Sequence, residues 1–185
     1  MGQDKLPLEL DGVPLITRVH RTLEPACEKV LIVGGDGPSP PRARRIPDLR
    51  PENTGPLAGI EAGLQAAQCP SVFVAAGDMP FLNSGFVRFL LGLLVERGVP
   101  AVLPRWGGRL HPLCAAYERD AVLPAVEAAL NAGVRAVREV VGGLPGVLYV
   151  GEAELRAFGD PERLLMNVNS PADLALAQAM LRDQP

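Results

Sequence analysis

The chain has 185 residues, 48% of them hydrophobic and 21% charged, with a formal net charge of −3. That composition fits one globular domain, large enough to bury about 70% of the surface its unfolded chain exposes. The acidic balance argues against a general nucleic-acid or anionic-membrane binder, while leaving room for a local basic site that takes a small polyanion.

The opening residues, MGQDKLPLEL, contain no apolar signal-peptide core, and Leu6 stands where N-myristoylation needs Ser or Thr. Residues 13–23 follow Asp11-Gly12 and carry apolar side chains at 15, 16, 19 and 23, which predicts an amphipathic helix with His20 on its surface. Residues 29–33 (KVLIV) are short, β-branched and bounded by glycine, which predicts a buried strand. The VGGDGP segment after it fails the spacing of a dinucleotide-binding turn. Prolines 38, 40 and 41 also block the helix that such a turn requires, so residues 33–45 read as loop. An Ala-rich helix follows at 56–68, with proline in its first turn.

Residues 71–76 (SVFVAA) read as a second buried strand and 86–97 as a helix whose apolar centre is far too short to span a membrane. Residues 101–104, 113–117 and 147–150 are weaker strands, and 121–132 is an amphipathic helix. The last helix, 171–182, has a clear start: Ser170 as N-cap, Pro171 next and Asp173 at the third position. Strands alternating with helices predict a single α/β domain with a mostly parallel sheet. In such sheets ligands bind beyond the carboxyl ends of the strands.

That rule directs attention to Asp78, just after the strand at 71–76. A carboxylate there can hold Mg²⁺, which takes one or two carboxylates plus substrate phosphates. A turn or N-cap aspartate would occupy the same position, and position alone leaves both readings open. Gly55, Gly59 and Gly63 recur every four residues on one helical face. They serve either close packing on the sheet or approach of a phosphate to the helix N-terminus. Asn167 and Asn169, two apart before the last helix, point to one side of an extended segment and suit a polar ligand. His111, between Leu110 and Pro112, fits a packed loop residue as well as a site residue. Cys27, Cys69 and Cys114 are widely spaced and odd in number, as for reduced thiols of a cytoplasmic protein. With four serines, none in G-x-S-x-G, and no Cys/His cluster, a serine hydrolase or zinc enzyme has no support.

Taken together, MGQDKLPLELDGVPLI, the IPD preceding TGPLAGIEAGL, VAAGDMPFL, RLHPLCAAY and NVNSPADL resemble the molybdenum cofactor guanylyltransferase family, in family order and over nearly the whole chain. The resemblance implies one Rossmann-like, three-layer nucleotidyltransferase domain over residues 1–185. It implies transfer of GMP from GTP to molybdopterin bearing molybdenum, with Mg²⁺ as cofactor and pyrophosphate as by-product. Lys5 would meet the triphosphate, Asp48 the nucleotide, and Asp78 the metal ion. Arg109, His111, Asn167 and Asn169 would border the pterin. Contacts with molybdoenzymes or other cofactor-biosynthesis proteins belong to the same implication. A related cytidylyl- or sugar-phosphate nucleotidyltransferase is the same-class alternative, and a non-catalytic nucleotide- or pterin-binding protein the different-class one.

Two departures stand out. Val33-Gly34-Gly35 replaces the asparagine that the family often places near guanine. The family's first strand and glycine-rich phosphate loop are absent ahead of the Met-Gly-x-Asp-Lys pattern, so the expected sheet lacks its first strand. The active protein is accordingly expected to begin upstream of Met1, by about 15–20 residues, the length of one strand and one loop.

Overall fold

The computed structural model describes residues 8–35, 39–50 and 55–182. A short hairpin of β1 (Glu9–Leu10) and β2 (Val13–Pro14) leads into helix α1 (Leu15–Leu23). Strands β3 (Leu31–Val33) and β4 (Arg44–Ile46) pair in parallel as a small separate sheet, followed by α2 (Pro56–Ala66). The main sheet contains β5 (Ser71–Ala75), β6 (Ala101–Trp106), the short β7 (Arg109–Leu110), β8 (Cys114–Glu118) and β9 (Leu148–Val150). Between and after these strands run α3 (Ser84–Arg97), α4 (Arg119–Asn131), α5 (Val137–Gly142), α6 (Glu152–Arg156), α7 (Pro161–Leu164) and α8 (Pro171–Arg182). None of the described helices is long and apolar enough to cross a membrane.

The three layers follow from side-chain alternation along strands buried on both faces. Phe73, Val102, Cys114, Ala116 and Val150 point to one side, into a core shared with Val19 and Leu23 of α1 and Phe86, Leu90 and Leu94 of α3. Val72, Val74, Ala101, Leu103, Ala115 and Tyr117 point to the other, against Leu57, Ile60 and Leu64 of α2 and Val122, Val126 and Leu130 of α4. A third, smaller core joins Leu10 and Leu15 to Val168 and to Ala177 of α8.

The α/β fold expected from the sequence is therefore present, with one reversal. β5, β6 and β9 run the same way, but β8 lies between β5 and β6 and is antiparallel to both. The cause is local: Gly107-Gly108, with φ of +56° and +73°, turns β6 directly into β7, so no crossover helix intervenes to restore direction. Among the described strands, β3–β4 shares no ladder with β5 and forms a separate two-stranded sheet.

Three local expectations need correction. Residues 13–14 are a strand, because Asp11-Gly12, with φ of +54° and +67°, makes a two-residue hairpin turn. Residues 44–46 leave the predicted loop to pair with β3, and Arg44 donates its backbone N–H to Val30 O at 3.2 Å. His20 is not on the surface: it is 3% exposed, because the buried face of α1 takes in Leu15, Val19, His20 and Leu23.

Candidate active site

The carboxyl end of β5 carries Gly77 and Asp78. Asp78 is half-buried, and both its backbone and its side chain are tied to the segment that precedes α8. Its carbonyl accepts the Val168 N–H at 2.9 Å, and its Oδ1 accepts from Asn167 Nδ2 at 2.6 Å. The amide orients the carboxylate and leaves Oδ2 without a partner among the described residues. Asn169 is exposed; its backbone N–H, like that of Ser170, donates to Asp173 Oδ2, closing the cap of α8. These bonds, led by the Ser170 hydroxyl, hold the Asp173 carboxyl below its usual range. Asp78 and Asn167 thus meet, whereas Asn169 is placed next to them by the helix start.

A groove of about 550 Å³ opens on one side of this strand end. It is lined by Ile16 and Thr17 of α1, Val33, Gly34 and Gly35 at the end of β3, Arg45 of β4, and Gly77. Gly34 and Gly35 have φ of +67° and +65°. Arg45 reaches across to the carbonyls of both, at 2.8 Å for Gly35 O. Asp48 is exposed two residues beyond β4, and its carboxylate lies so close to Gly34 that a Cβ there would stand 2.5 Å from Oδ2. Glycine suits that position by its backbone conformation, and a methyl there would displace the Asp48 carboxylate.

A second cavity, of about 330 Å³, reaches Met79, which follows Asp78, and Asn167, the partner of Asp78. Met79, Leu110, His111 and Asn167 line it, with Arg135 just before α5 and Arg138 in its first turn. His111 begins the turn into β8, and its backbone N–H donates to Pro104 O at 3.0 Å. Tyr117, fully buried on β8, donates its hydroxyl to Pro112 O at 2.6 Å, which fixes that turn. The spacing of RLHPLCAAY is explained by this bond. Burial first, and then the nearby Arg109 guanidinium, lower the His111 pKa, outweighing a backbone hydrogen bond to Trp106. The imidazole is therefore neutral at pH 7, and its buried Nε2 has no partner among the described residues. Arg109 itself is exposed on β7, at the rim.

Among the described residues no three His, Cys, Asp or Glu side chains cluster. Mg²⁺ does not require such a cluster, because it keeps waters and takes phosphate oxygens beside one or two carboxylates. An oriented carboxylate with one free oxygen at a cleft mouth fits that mode of binding. Lys5, the other residue expected on the phosphates, lies outside the described residues. Of the three cysteines, Cys114 backs the cavity beside β8 but is buried, and desolvation pushes its thiol far up; Cys27 and Cys69 are half-buried and line neither cavity.

Sequence reasoning missed Arg45, Arg135 and Arg138. Arg45 sits in a stretch read as loop, Arg135 and Arg138 in one left unread, and arginine was too abundant to draw notice, at sixteen of the eighteen basic residues. The glycine question is answered by Val33. Its Cγ atoms lie 4.0 Å and 3.7 Å from where Cβ atoms would stand on Gly59 and Gly63. That face of α2 packs on β3, which is the packing reading of those two glycines. Gly55 differs, with φ of +86° at the N-cap of α2.

Known proteins place the chain in a family and a fold. Residues 1–145 match the model of the MobA-like NTP transferase domain. A probable molybdenum cofactor guanylyltransferase from Pelotomaculum thermopropionicum is 36% identical over 182 residues, which cover 97% of this chain and 86% of that protein. The crystal structure of molybdopterin-guanine dinucleotide biosynthesis protein A from Archaeoglobus fulgidus superimposes with a TM-score of 0.81 at 27% identity, covering 99% of this chain and 93% of the other. The 2-C-methyl-D-erythritol 4-phosphate cytidylyltransferase from Thermus thermophilus shares the fold, with a TM-score of 0.71 at 22% identity and coverage of 98% and 95%. The chain belongs to the molybdenum cofactor guanylyltransferase family, the MobA-like nucleotidyltransferases of molybdenum cofactor biosynthesis.

Proposed function

We propose that the protein transfers GMP from GTP to molybdopterin in its molybdenum-bearing form, giving molybdopterin guanine dinucleotide and pyrophosphate. The observation that carries this reading is that the residues on either side of Asp78 in the chain line two different cavities. Its neighbour Gly77 lines the groove between the sheets, while Met79 and its partner Asn167 line the cavity beside β8. A nucleotide in the groove and a pterin phosphate in the cavity would meet at one carboxylate.

In this reading an oxygen of the acceptor's terminal phosphate attacks the α-phosphorus of GTP. The new P–O bond forms as the bond to the β-phosphate's bridging oxygen breaks, and pyrophosphate leaves with that electron pair. No covalent intermediate on the enzyme is needed, so the chain contributes position and charge. Mg²⁺ bound at Asp78 supplies neutralisation of the phosphate charge. Asn167 holds the Asp78 carboxylate at a fixed angle. Lys5 meets the triphosphate and Asp48 the nucleoside. On the acceptor side, Arg109, Arg135 and Arg138 offer positive charge to a phosphorylated pterin, Asn169 offers an amide, and the neutral His111 offers a ring nitrogen. The reaction takes place in the cytoplasm.

The test is direct. Purified protein is incubated with molybdopterin bearing molybdenum, Mg²⁺ and each of GTP, CTP, UTP and ATP, and the dinucleotide is identified by mass. Titration calorimetry with each nucleotide runs in parallel. GTP is expected to bind best and to give product. Equal affinity for all four nucleotides removes guanine selectivity, and product from CTP alone assigns the protein to cytidylyl transfer instead.

A further inference from the structure

Glu61 is a buried carboxylate in an apolar setting. It is 2% exposed on α2, among Leu57, Ala58, Ile60, Ala62 and Leu64, all buried. Burying a carboxylate is costly, and well-packed apolar residues of similar volume often serve stability as well or better. A stability role alone therefore does not account for it.

Its partner is Arg50. The guanidinium spans both carboxylate oxygens, with Nε 2.8 Å from Oε2 and Nη2 2.5 Å from Oε1. Its Nη1 donates to Oδ1 of Asn131, the last residue of α4, at 2.9 Å. This fork is rigid and planar, so it fixes direction as well as distance. Arg50 thus pins the chain to two helices at once.

The pinned chain is the segment that bears Asp48. At its near end, Ile46 O accepts the Gly34 N–H at 3.0 Å. At its far end is Arg50. Pro47, Asp48 and Leu49 between them are all exposed, so no core contact holds Asp48 against Gly34. From these placements we infer that Arg50, Glu61 and Asn131 form a strap that positions Asp48 at the mouth of the nucleotide groove. They are positioning residues, acting through Asp48 and touching no substrate. The inference rests on the reading of Asp48 as a nucleotide contact.

The test is a double-mutant cycle on full-length protein, with GTP and Mg²⁺ as probe. In the strap variant, Arg50→Met with Glu61→Leu, the melting temperature should hold or rise. Its Kd and KM for GTP should rise about tenfold, and kcat should change little, since a misplaced contact loosens binding without touching the reacting atoms. Asp48→Asn should weaken GTP binding by a similar factor, and adding it to the strap variant should cost nothing further, because both act at one contact. Multiplying effects, or unchanged GTP affinity in the strap variant, would overturn the strap. Unchanged affinity in Asp48→Asn alone would overturn the Asp48 reading and the strap with it. Should the double variant not fold, Arg50→Lys keeps the charge, loses the fork, and carries the same comparison.

Discussion

The two cavities flanking Asp78 are built by different physics. The cavity beside β8 stands on the main sheet, where Leu103, Ala115, Ala116 and Tyr117 are completely buried and the turn at Pro112 is locked by a buried hydroxyl. The groove on the other side stands on two three-residue strands and is held by point contacts: Arg45 on the carbonyls of Gly34 and Gly35, and Arg50 on Glu61. One wall is positioned by dense packing, the other by a few oriented polar bonds. Substitutions on the first side should therefore register as lost stability, and those on the second as lost ligand affinity.

Asp78, at the junction, should show the largest effect of all. Asp78→Asn retains an oxygen to accept from Asn167 but removes the charge. Turnover should fall by a factor of about 100 or more, by analogy with other lost electrostatic groups, while circular dichroism and melting stay near wild type. Near-normal kcat in that variant would show that the carboxylate is a turn residue and nothing more.

Gly34→Ala sharpens the contrast on the polar side. It forces an L-residue into φ of +67° and pushes a methyl into the Asp48 carboxylate. The strain is worth about 1–2 kcal/mol, but the carboxylate is exposed and can swing aside. KM for GTP should rise about tenfold, a larger change than the loss of stability by itself implies. Unchanged KM with lower stability would break the comparison.

Tyr117→Phe tests the packed side. It leaves the part-buried Pro112 carbonyl without its donor, and should cost about 0.5–1.5 kcal/mol in denaturant titrations. KM for GTP should not move, while the acceptor's KM rises as the His111 turn loosens. If GTP binding suffers equally, the two walls are not independent.

Gly63→Ala is the smallest effect and has the opposite sign. The added methyl meets Val33 at an ordinary 3.7 Å, and alanine in a helix interior is worth about 0.5–1 kcal/mol over glycine. The melting temperature should rise slightly with activity intact. A clear loss would mean that the α2–β3 contact has no room to give.

The same divide governs what could be read from the sequence. The packed side was legible because burial leaves a periodic signal. The strands at 71–75 and 114–118, the helices α3 and α4, and Asp78 at a strand end all follow from runs of apolar residues bounded by turn residues. The Ser170–Asp173 cap was legible from residue type and spacing alone. The polar side was not, because its organisation is tertiary: nothing in PSPPRARR says that Arg44–Ile46 will pair with β3, or that Arg45 will turn onto two glycine carbonyls. Arg50 and Glu61 look like a loop cation and a surface helix acid until the fold joins them. Asn167 shows both limits. Its candidacy as a polar site residue came from spacing, but its bond to Asp78, 89 positions away in sequence, did not. The reversed β8 was hidden for another reason, since a two-glycine turn and a short crossover are hard to tell apart when the strands around them are weak.

That reversed strand has a consequence for how reactivity is inherited from packing. The parallel strands present their trailing residues at the active edge, but β8 arrives there first and leaves from it. His111 and Pro112 are thus leaders whose location is set by the register of β5 against β8, from Ser71↔Glu118 to Ala75↔Cys114. A slip of one residue would exchange the two core faces of β8 and carry the turn about 3.4 Å along the strand axis. The small side chains Ala75, Ala115 and Ala116 make that slip sterically thinkable, whereas Tyr117, seated in one core with its hydroxyl tied to Pro112, forbids it. The ring that looks most like inert filling is, in effect, the ruler by which the cavity beside β8 is measured out.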